Sequence, residues 1–328
     1  MASSCEFGHE SVLLYETVAA VLGVLTDNTR DIQATLGALP KVSGVFVDAT
    51  FGRGGHSSLL LQYLAKDARL IVFDKDIEAI QAAKALAIKD ARVSVVHGSF
   101  ANLQQELQSL GIHQVAGIMA DLGVSSPQLD DGTRGFSFNK SGAIDMRMDT
   151  TRGQTVGEWL AVVSEEVLAD VLYEYGEERH SRRIARAIKA MDCYDDTLTL
   201  AEVIKSAHPN WQKGKHPATK SFQAMRIFIN NELGDVDEFL AQTIEVLQAG
   251  GQLAVISFHS LEDRRIKRFL HNHSRGQWEG DDRLLMPPTR PKYFTKPLRL
   301  TPNKTEIANN PRARSAYLRT ATRAAVCL

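Results

Sequence analysis

Short, continuously apolar runs alternate with amphipathic segments along the first part of the chain. The apolar runs are rich in Val, Ile and Phe, which is typical of strands that are buried on both faces of a parallel sheet. The predicted strands cover 44–48, 69–74, 93–97 and 115–121, and the predicted helices between them cover 57–66, 77–89 and 100–110. This alternation predicts right-handed βαβ units with helices on both faces of the sheet.

The alternation then stops, and residues 127–221 show helical segments separated by turn-forming residues, without a convincing strand. The segments that resume it are a long helix at 222–247, a strand at 252–258 and an alternating segment at 313–320 that suits a closing edge strand. We therefore predict an α/β protein in which residues 1–126 and 222–328 form one domain. Residues 127–221 form an inserted all-helical domain.

Composition places the chain among ordinary globular proteins, with 328 residues, 44% hydrophobic and 23% charged. The three cysteines lie far apart and show no zinc-ligand spacing, so we expect a reducing compartment and no metal site. No apolar stretch approaches the roughly 20 residues of a membrane span, and the N-terminus lacks a signal-peptide pattern. These features predict a cytoplasmic protein without a membrane segment.

The net charge of −1 hides an asymmetry along the chain. From Arg264 to Arg323 there are 15 Lys and Arg residues against four acids. Such a basic segment predicts a polyanionic partner, and Trp278, Tyr293 and Phe294 within it suit base stacking on RNA. The alternative is a solvated surface of long basic side chains.

A second cluster of arginines lies in the predicted helical insertion, at Arg179, Arg182, Arg183 and Arg186. It offers another basic face for RNA. Glutamates close by in the sequence make a salt-bridged helix surface the alternative.

A glycine-rich turn follows the first strand, in the segment Asp48-Ala-Thr-Phe-Gly-Arg-Gly-Gly-His56. Glycines between a strand and a helix let the backbone approach a ligand, and ligands bind beyond the carboxyl ends of parallel strands. Asp74, which ends the second strand, suits ribose hydroxyls in a dinucleotide or in S-adenosylmethionine. The acid four residues before Gly52 favours S-adenosylmethionine, as does the lack of a second mononucleotide-binding half. A turn without a ligand is the remaining alternative.

Polar or aromatic residues also follow the later strands. Phe100 is placed to cover an adenine ring, with packing in the core as its alternative. Asp121, with Ser125 and Ser126 after it, supplies acceptors that hold the hydrogens of an exocyclic amine, so that its lone pair points at a methyl group. His259 is a candidate proton acceptor, and a structural role is its alternative.

Several segments together resemble the bacterial RsmH (MraW) family, whose members methylate the N4 amine of a cytosine in the decoding centre of 16S ribosomal RNA. They are the turn from Asp48 to His56, Asp121-Leu-Gly-Val-Ser-Ser-Pro-Gln-Leu-Asp130, Arg134-Gly-Phe-Ser-Phe138, Asp145-Met-Arg-Met-Asp149, His216-Pro-Ala-Thr219, Ser257-Phe-His-Ser-Leu-Glu-Asp263 and Asn310-Pro-Arg-Ala-Arg-Ser315. The resemblance covers about His9 to about Thr320.

The resemblance implies a class I (Rossmann-like) methyltransferase sheet, S-adenosyl-L-methionine as cofactor, and an inserted helical domain that helps to recognise RNA in the small ribosomal subunit. The cofactor contacts that it implies are Gly54, Gly55, His56, Asp74, Phe100, Asp121 and Gln128. This chain departs from the family at Ala49, where a glycine is usual, and in extra residues from about Thr26 to Lys41.

Three alternative functions stay open at this point. They are a protein-glutamine or small-molecule N-methyltransferase, a nicotinamide-dependent oxidoreductase, and an RNA-binding protein without catalysis. The sequence leaves open whether the protein forms a homo-oligomer.

Overall fold

The computed structural model describes residues 11–209, 216–275 and 291–325. The chain forms two compact units, Met1–Gly123 with Gly234–Leu328, and Val124–Leu233. No helix among the described residues has both the length and the apolar character that a membrane crossing requires.

A seven-stranded sheet forms the centre of the first unit. Its strands are β1 (Val45–Asp48), β2 (Arg69–Asp74), β3 (Val93–His97), β4 (Val115–Asp121), β5 (Leu247–Ser257), β6 (Leu298–Leu300) and β7 (Tyr317–Thr322). The strand order is β3-β2-β1-β4-β5-β7-β6, in which β1 to β5 are parallel and β7 runs antiparallel to both of its neighbours. The predicted parallel strands are confirmed. The prediction of an edge strand at 313–320 is wrong, because β6 occupies the edge and β7 lies inside the sheet.

Helices cover both faces of this sheet. The helices of the first unit are α1 (Leu14–Val21), α2 (Ile32–Gly37), α3 (Gly55–Leu61), α4 (Ile77–Lys89), α5 (Leu103–Ser109), α12 (Glu232–Val246, divided between the units after Leu233), α13 (Ser260–His273) and α14 (Lys304–Asn309). Successive residues of one strand enter different hydrophobic clusters: Phe46 packs in one and Val47 in the other. This two-sided burial is why the strands read as continuous apolar runs.

The second unit is helical, and its described residues contain no strand. Its helices are α6 (Ser126–Asp130), α7 (Val156–Val162), α8 (Glu165–Gly176), α9 (Ser181–Lys189), α10 (Thr197–Ala207) and α11 (Ala218–Ile229). They share one hydrophobic core that includes Trp159, Leu172 and Ile204.

The second unit runs beyond the predicted insertion of 127–221, because α11 packs against α8 in the helical core. Gly176 permits this approach, since a Cβ there would lie 2.7 Å from the Lys220 carbonyl oxygen. The single long helix predicted at 222–247 is wrong. The chain breaks between α11 and α12, where Asn231 has a left-handed φ of 51°.

Candidate active site

The glycines of the loop after β1 allow backbone conformations that other residues rarely adopt. Gly54 has a φ of 76°, and a Cβ there would lie 2.5 Å from Phe51 Cζ, so both the backbone and the packing require glycine. Gly52 has a φ of 55° with no atom within 4 Å of a built Cβ. The loop therefore packs against the protein at Gly54 and is open at Gly52.

Asp48, the first acid of the glycine-rich turn, holds the loop through hydrogen bonds to Ser57 and Thr50. Asp48 is buried, and its Oδ2 accepts a hydrogen bond of 2.6 Å from the Ser57 hydroxyl, while Oδ1 accepts from Thr50 N at 3.2 Å. Thr50 Oγ1 in turn accepts from Asp121 N at 2.6 Å and so ties the loop to the end of β4. Burial raises the pKa of Asp48 to about 6.

Asp74 connects the end of β2 to the same loop. Its Oδ2 accepts from Gly52 N and its Oδ1 from Asp76 N, each at 2.8 Å. Burial raises the pKa of Asp74 to about 6. Each carboxylate oxygen can accept more than one hydrogen bond, so Asp74 fits the predicted ribose hydroxyls.

Phe100 begins a short 3-10 helix after β3, as a partly buried residue. Its ring packs edge to face on Phe239 of α12, with 5.3 Å between the centroids. This contact is the core packing that was the alternative for Phe100, and the adenine contact stays a prediction.

His56, in the first turn of α3, lies beside Asp121 at the end of β4. His56 is buried, which lowers its pKa to about 4, so the ring is neutral at physiological pH. His56 Nε2 lies 3.1 Å from the Val12 carbonyl oxygen, which only accepts hydrogen bonds. Nε2 therefore carries the proton, and the bare Nδ1 lies 3.9 Å from Asp121 Oδ2.

Asp121 presents unused acceptor capacity at the end of β4. Its Oδ1 is buried without a hydrogen-bond partner in the described part of the chain, although the side chain as a whole is 29% exposed. Burial raises the pKa of Asp121 to about 8, and the Asp48 and Glu262 carboxylates add to the effect. A ligand that brings hydrogen-bond donors or positive charge satisfies this oxygen.

The raised pKa of Asp121 predicts that Asp121→Asn stabilises the protein at alkaline pH. The folded wild type holds this proton up to about pH 8, whereas the unfolded chain releases it near the ordinary value of 3.8, so folding stability falls as pH rises between them. Asparagine has no proton to lose. We expect the melting temperature of Asp121→Asn to exceed that of the wild type by at least about 2 °C above pH 8.

The check is a series of melting curves for both proteins from about pH 5 to about pH 9. The difference in melting temperature between the two proteins is expected to shrink toward the acid end of the series. A constant difference across the whole range contradicts the raised pKa.

Gln128 and His259 are engaged in helix caps. In the second unit, Gln128 Oε1 accepts from Ser125 N at 2.9 Å and completes the N-terminal cap of α6. In the first unit, His259 Nδ1 accepts from Glu262 N at 3.4 Å at the start of α13, and Nε2 lies 3.1 Å from Glu262 Oε1. This arrangement favours the structural alternative for His259, and the cofactor contact of Gln128 stays a prediction.

Sequence reasoning missed the residues that brace the strand ends. Ser99 donates to Asp235 of α12, and Asp235 also pairs with Lys75 Nζ at 2.6 Å. These contacts anchor the ends of β2 and β3 to a helix more than 130 residues further along the chain. No local sequence signal marks such a pairing.

The parallel order β3-β2-β1-β4-β5, the antiparallel β7 and a glycine loop that is hydrogen-bonded to residues at three strand ends define a class I methyltransferase, which depends on S-adenosylmethionine. The model of the MraW methylase family matches residues 6–324, so the chain belongs to that family.

Curated relatives match nearly the whole chain. A protein of Psychrobacter sp. (strain PRwf-1) named ribosomal RNA small subunit methyltransferase H is 68% identical over 98% of this chain and 92% of its own. A protein of the same name from Acinetobacter baumannii (strain SDF) is 49% identical, and the match covers 96% of this chain and 97% of that protein. Among solved structures, an rRNA methylase from Streptococcus thermophilus matches with a TM-score of 0.41 and 10% identity, over 92% of this chain and 100% of its own.

Proposed function

We propose that the protein transfers a methyl group from S-adenosylmethionine to the N4 exocyclic amine of a cytosine in the decoding centre of 16S ribosomal RNA, within the small ribosomal subunit. The names of its relatives support the RNA substrate. The observation that carries the choice of an amine is Asp121 at the end of β4, whose buried Oδ1 has no hydrogen-bond partner among the residues that the structure describes.

The residues around the loop fit the cofactor. The open space at Gly52 admits a ligand to the backbone, and Asp74 and Asp121 keep free acceptor capacity on either side of the loop. Gly54, Gly55, His56, Asp74 and Phe100 would hold the cofactor in the first unit, and Gln128 is the predicted contact from the second. When bound, S-adenosylmethionine supplies an electrophilic methyl group on a sulfonium.

Asp121 gives the site its preference for an amine. The lone pair of an exocyclic amine is delocalised into the cytosine ring, so the enzyme has to hold its N–H groups and orient the nitrogen. Asp121 Oδ1 accepts one of these hydrogens. The pKa of about 8 belongs to the protein without its cofactor, and the positive charge that bound S-adenosylmethionine would bring favours the carboxylate form of Asp121, which can then take up a proton once the nitrogen has been methylated.

The basic segment contributes an exposed face for RNA on α13. Arg264, Lys267 and Arg268 are exposed and lie three and four residues apart, so they share one side of the helix. The expected stacking role of Phe294 is wrong, because this ring is fully buried in the core. Trp278 lies outside the described residues.

Neutralising this face weakens RNA binding. We expect the double variant Lys267→Ala/Arg268→Ala to raise the KM for RNA by about tenfold at constant kcat, and to reduce the slope of log affinity against log salt by about 1 to 2. Lys84→Ala/Lys89→Ala removes the same charge from exposed positions of α4 and serves as the matched control. Equal losses in both variants contradict a specific contact by α13.

The proposal is tested by incubating the protein and methyl-labelled S-adenosylmethionine with unmodified small ribosomal subunits. Label is expected in the RNA, and in N4-methylated cytidine after nuclease digestion. Label in ribosomal protein, or in a different nucleoside, contradicts the proposal. If the protein binds NAD and fails to bind S-adenosylhomocysteine, the assignment of S-adenosylmethionine as its cofactor is wrong as well.

A further inference from the structure

A strap of three residues, 11–13, crosses the beginning of α3. Ser11 packs on the second glycine of the cofactor loop, since a Cβ built on Gly55 would lie 2.1 Å from Ser11 Oγ. The next residue, Val12, directs its carbonyl oxygen at His56 Nε2, 3.1 Å away in a buried contact. The strap therefore contacts the loop through a glycine and through a histidine side chain.

Leu13 ends the strap in an unfavourable conformation. Its φ of 51° and ψ of 39° lie in the left-handed region, which a leucine enters only where its surroundings impose it. Its side chain is buried in a hydrophobic cluster of the first unit, and its carbonyl oxygen accepts from Thr17 N at 2.9 Å and from Thr17 Oγ1 at 2.8 Å. These contacts hold one side of the Leu13 backbone.

The backbone N–H of Leu13 is held by a residue that lies far along the chain. Leu13 N donates to Glu306 Oε1 at 2.7 Å, a contact that spans 293 positions of the sequence. Glu306 lies in the first turn of α14 and is partly buried. It is the one acid among the described residues between Arg264 and Arg323, yet it accepts from a backbone amide.

We propose that Glu306 is a positioning residue for the cofactor loop. It fixes the backbone of Leu13, which aims the Val12 carbonyl at His56, and His56 belongs to the first turn of α3 directly after Gly54 and Gly55. The inference rests on the proposed cofactor site. It adds a residue that contacts neither the cofactor nor the RNA and acts through the strap and the imidazole.

The test compares Glu306→Ala, Glu306→Asp and Glu306→Gln with Thr305→Ala, an exposed neighbour on α14 that serves as control. Calorimetry measures the Kd for S-adenosylhomocysteine, and steady-state kinetics separate the KM for S-adenosylmethionine from kcat. Nitrogen-15 NMR of the His56 ring reports the Nε2 proton that the Val12 carbonyl holds.

We expect Glu306→Ala and Glu306→Asp to raise the Kd and the KM by about tenfold at nearly constant kcat, because the hydrogen bond to Leu13 is lost. Glu306→Gln keeps an acceptor oxygen and is expected to stay within about threefold of the wild type. The His56 Nε2 proton is expected to exchange faster in the alanine and aspartate variants.

Wild-type affinity in Glu306→Ala overturns the inference, as does a lower melting temperature with unchanged affinity and an unchanged His56 signal. Glutamine as damaging as alanine also overturns it. If Glu306→Ala does not fold, Glu306→Asp and Glu306→Gln decide the matter. If the wild type itself fails to bind S-adenosylhomocysteine, the proposed cofactor site is wrong, and the His56 signal still decides whether Glu306 acts on the strap.

Discussion

Asp121→Ala is expected to lower kcat for methylation of small-subunit RNA by about 100- to 1,000-fold, the range found when one positioned hydrogen-bonding group is removed from an active site. The variant removes the Oδ1 acceptor that ends β4 and has no other partner among the described residues. Without it, the amine is neither held nor oriented. Single-turnover rates at saturating S-adenosylmethionine measure the effect on the transfer itself.

Asp121→Asn is the matched control for this variant. It keeps an oxygen acceptor of the same shape but cannot take up a proton near neutral pH. We expect its rate to fall between those of the wild type and Asp121→Ala. Full activity in the alanine variant would show that Asp121 does not hold the amine.

Gly54→Ala is expected to combine a loss of stability with at least about tenfold weaker binding of S-adenosylhomocysteine. Two costs act at this position. The φ of 76° is unfavourable for alanine, by about 1 to 3 kcal/mol, and the new methyl group would lie 2.5 Å from Phe51 Cζ. The ring has to move, and the loop moves with it. Calorimetry and melting curves measure the two effects.

Gly52→Ala separates these costs, because Gly52 also has a positive φ, 55°, but no atom lies within 4 Å of the added methyl group. We expect it to lose about 1 kcal/mol of stability and to bind the cofactor more tightly than Gly54→Ala does. Equal effects of the two substitutions would mean that the contact with Phe51 does not shape the site.

The parallel part of the sheet follows from the sequence because each of its strands is buried on both faces. The strands β2, β3 and β4 therefore begin and end at the residues that the apolar runs predict. The three-residue β6 carries too little pattern to be recognised. The break at Asn231 was missed because a left-handed residue leaves no gap in helical periodicity.

The acids of the candidate site were predictable by position, since residues that end parallel strands gather at one edge of the sheet. What each side chain does there was not predictable. Asp48 accepts from Ser57, and His56 contacts Val12, so each of these side chains also has a partner within the protein. The contact between Leu13 and Glu306 spans 293 positions, and only the folded chain brings these residues together.

The most direct test of the proposed function is mass mapping of small-subunit ribosomal RNA from cells that have or lack this protein. In its presence, we predict one decoding-centre cytosine that carries a methyl group on N4, and fragmentation of the nucleoside distinguishes this from methylation of C5 or of the ribose. Cells without the protein, or with Asp121→Ala in its place, are predicted to lack that methyl group. An unchanged methylation pattern in those cells would contradict the account.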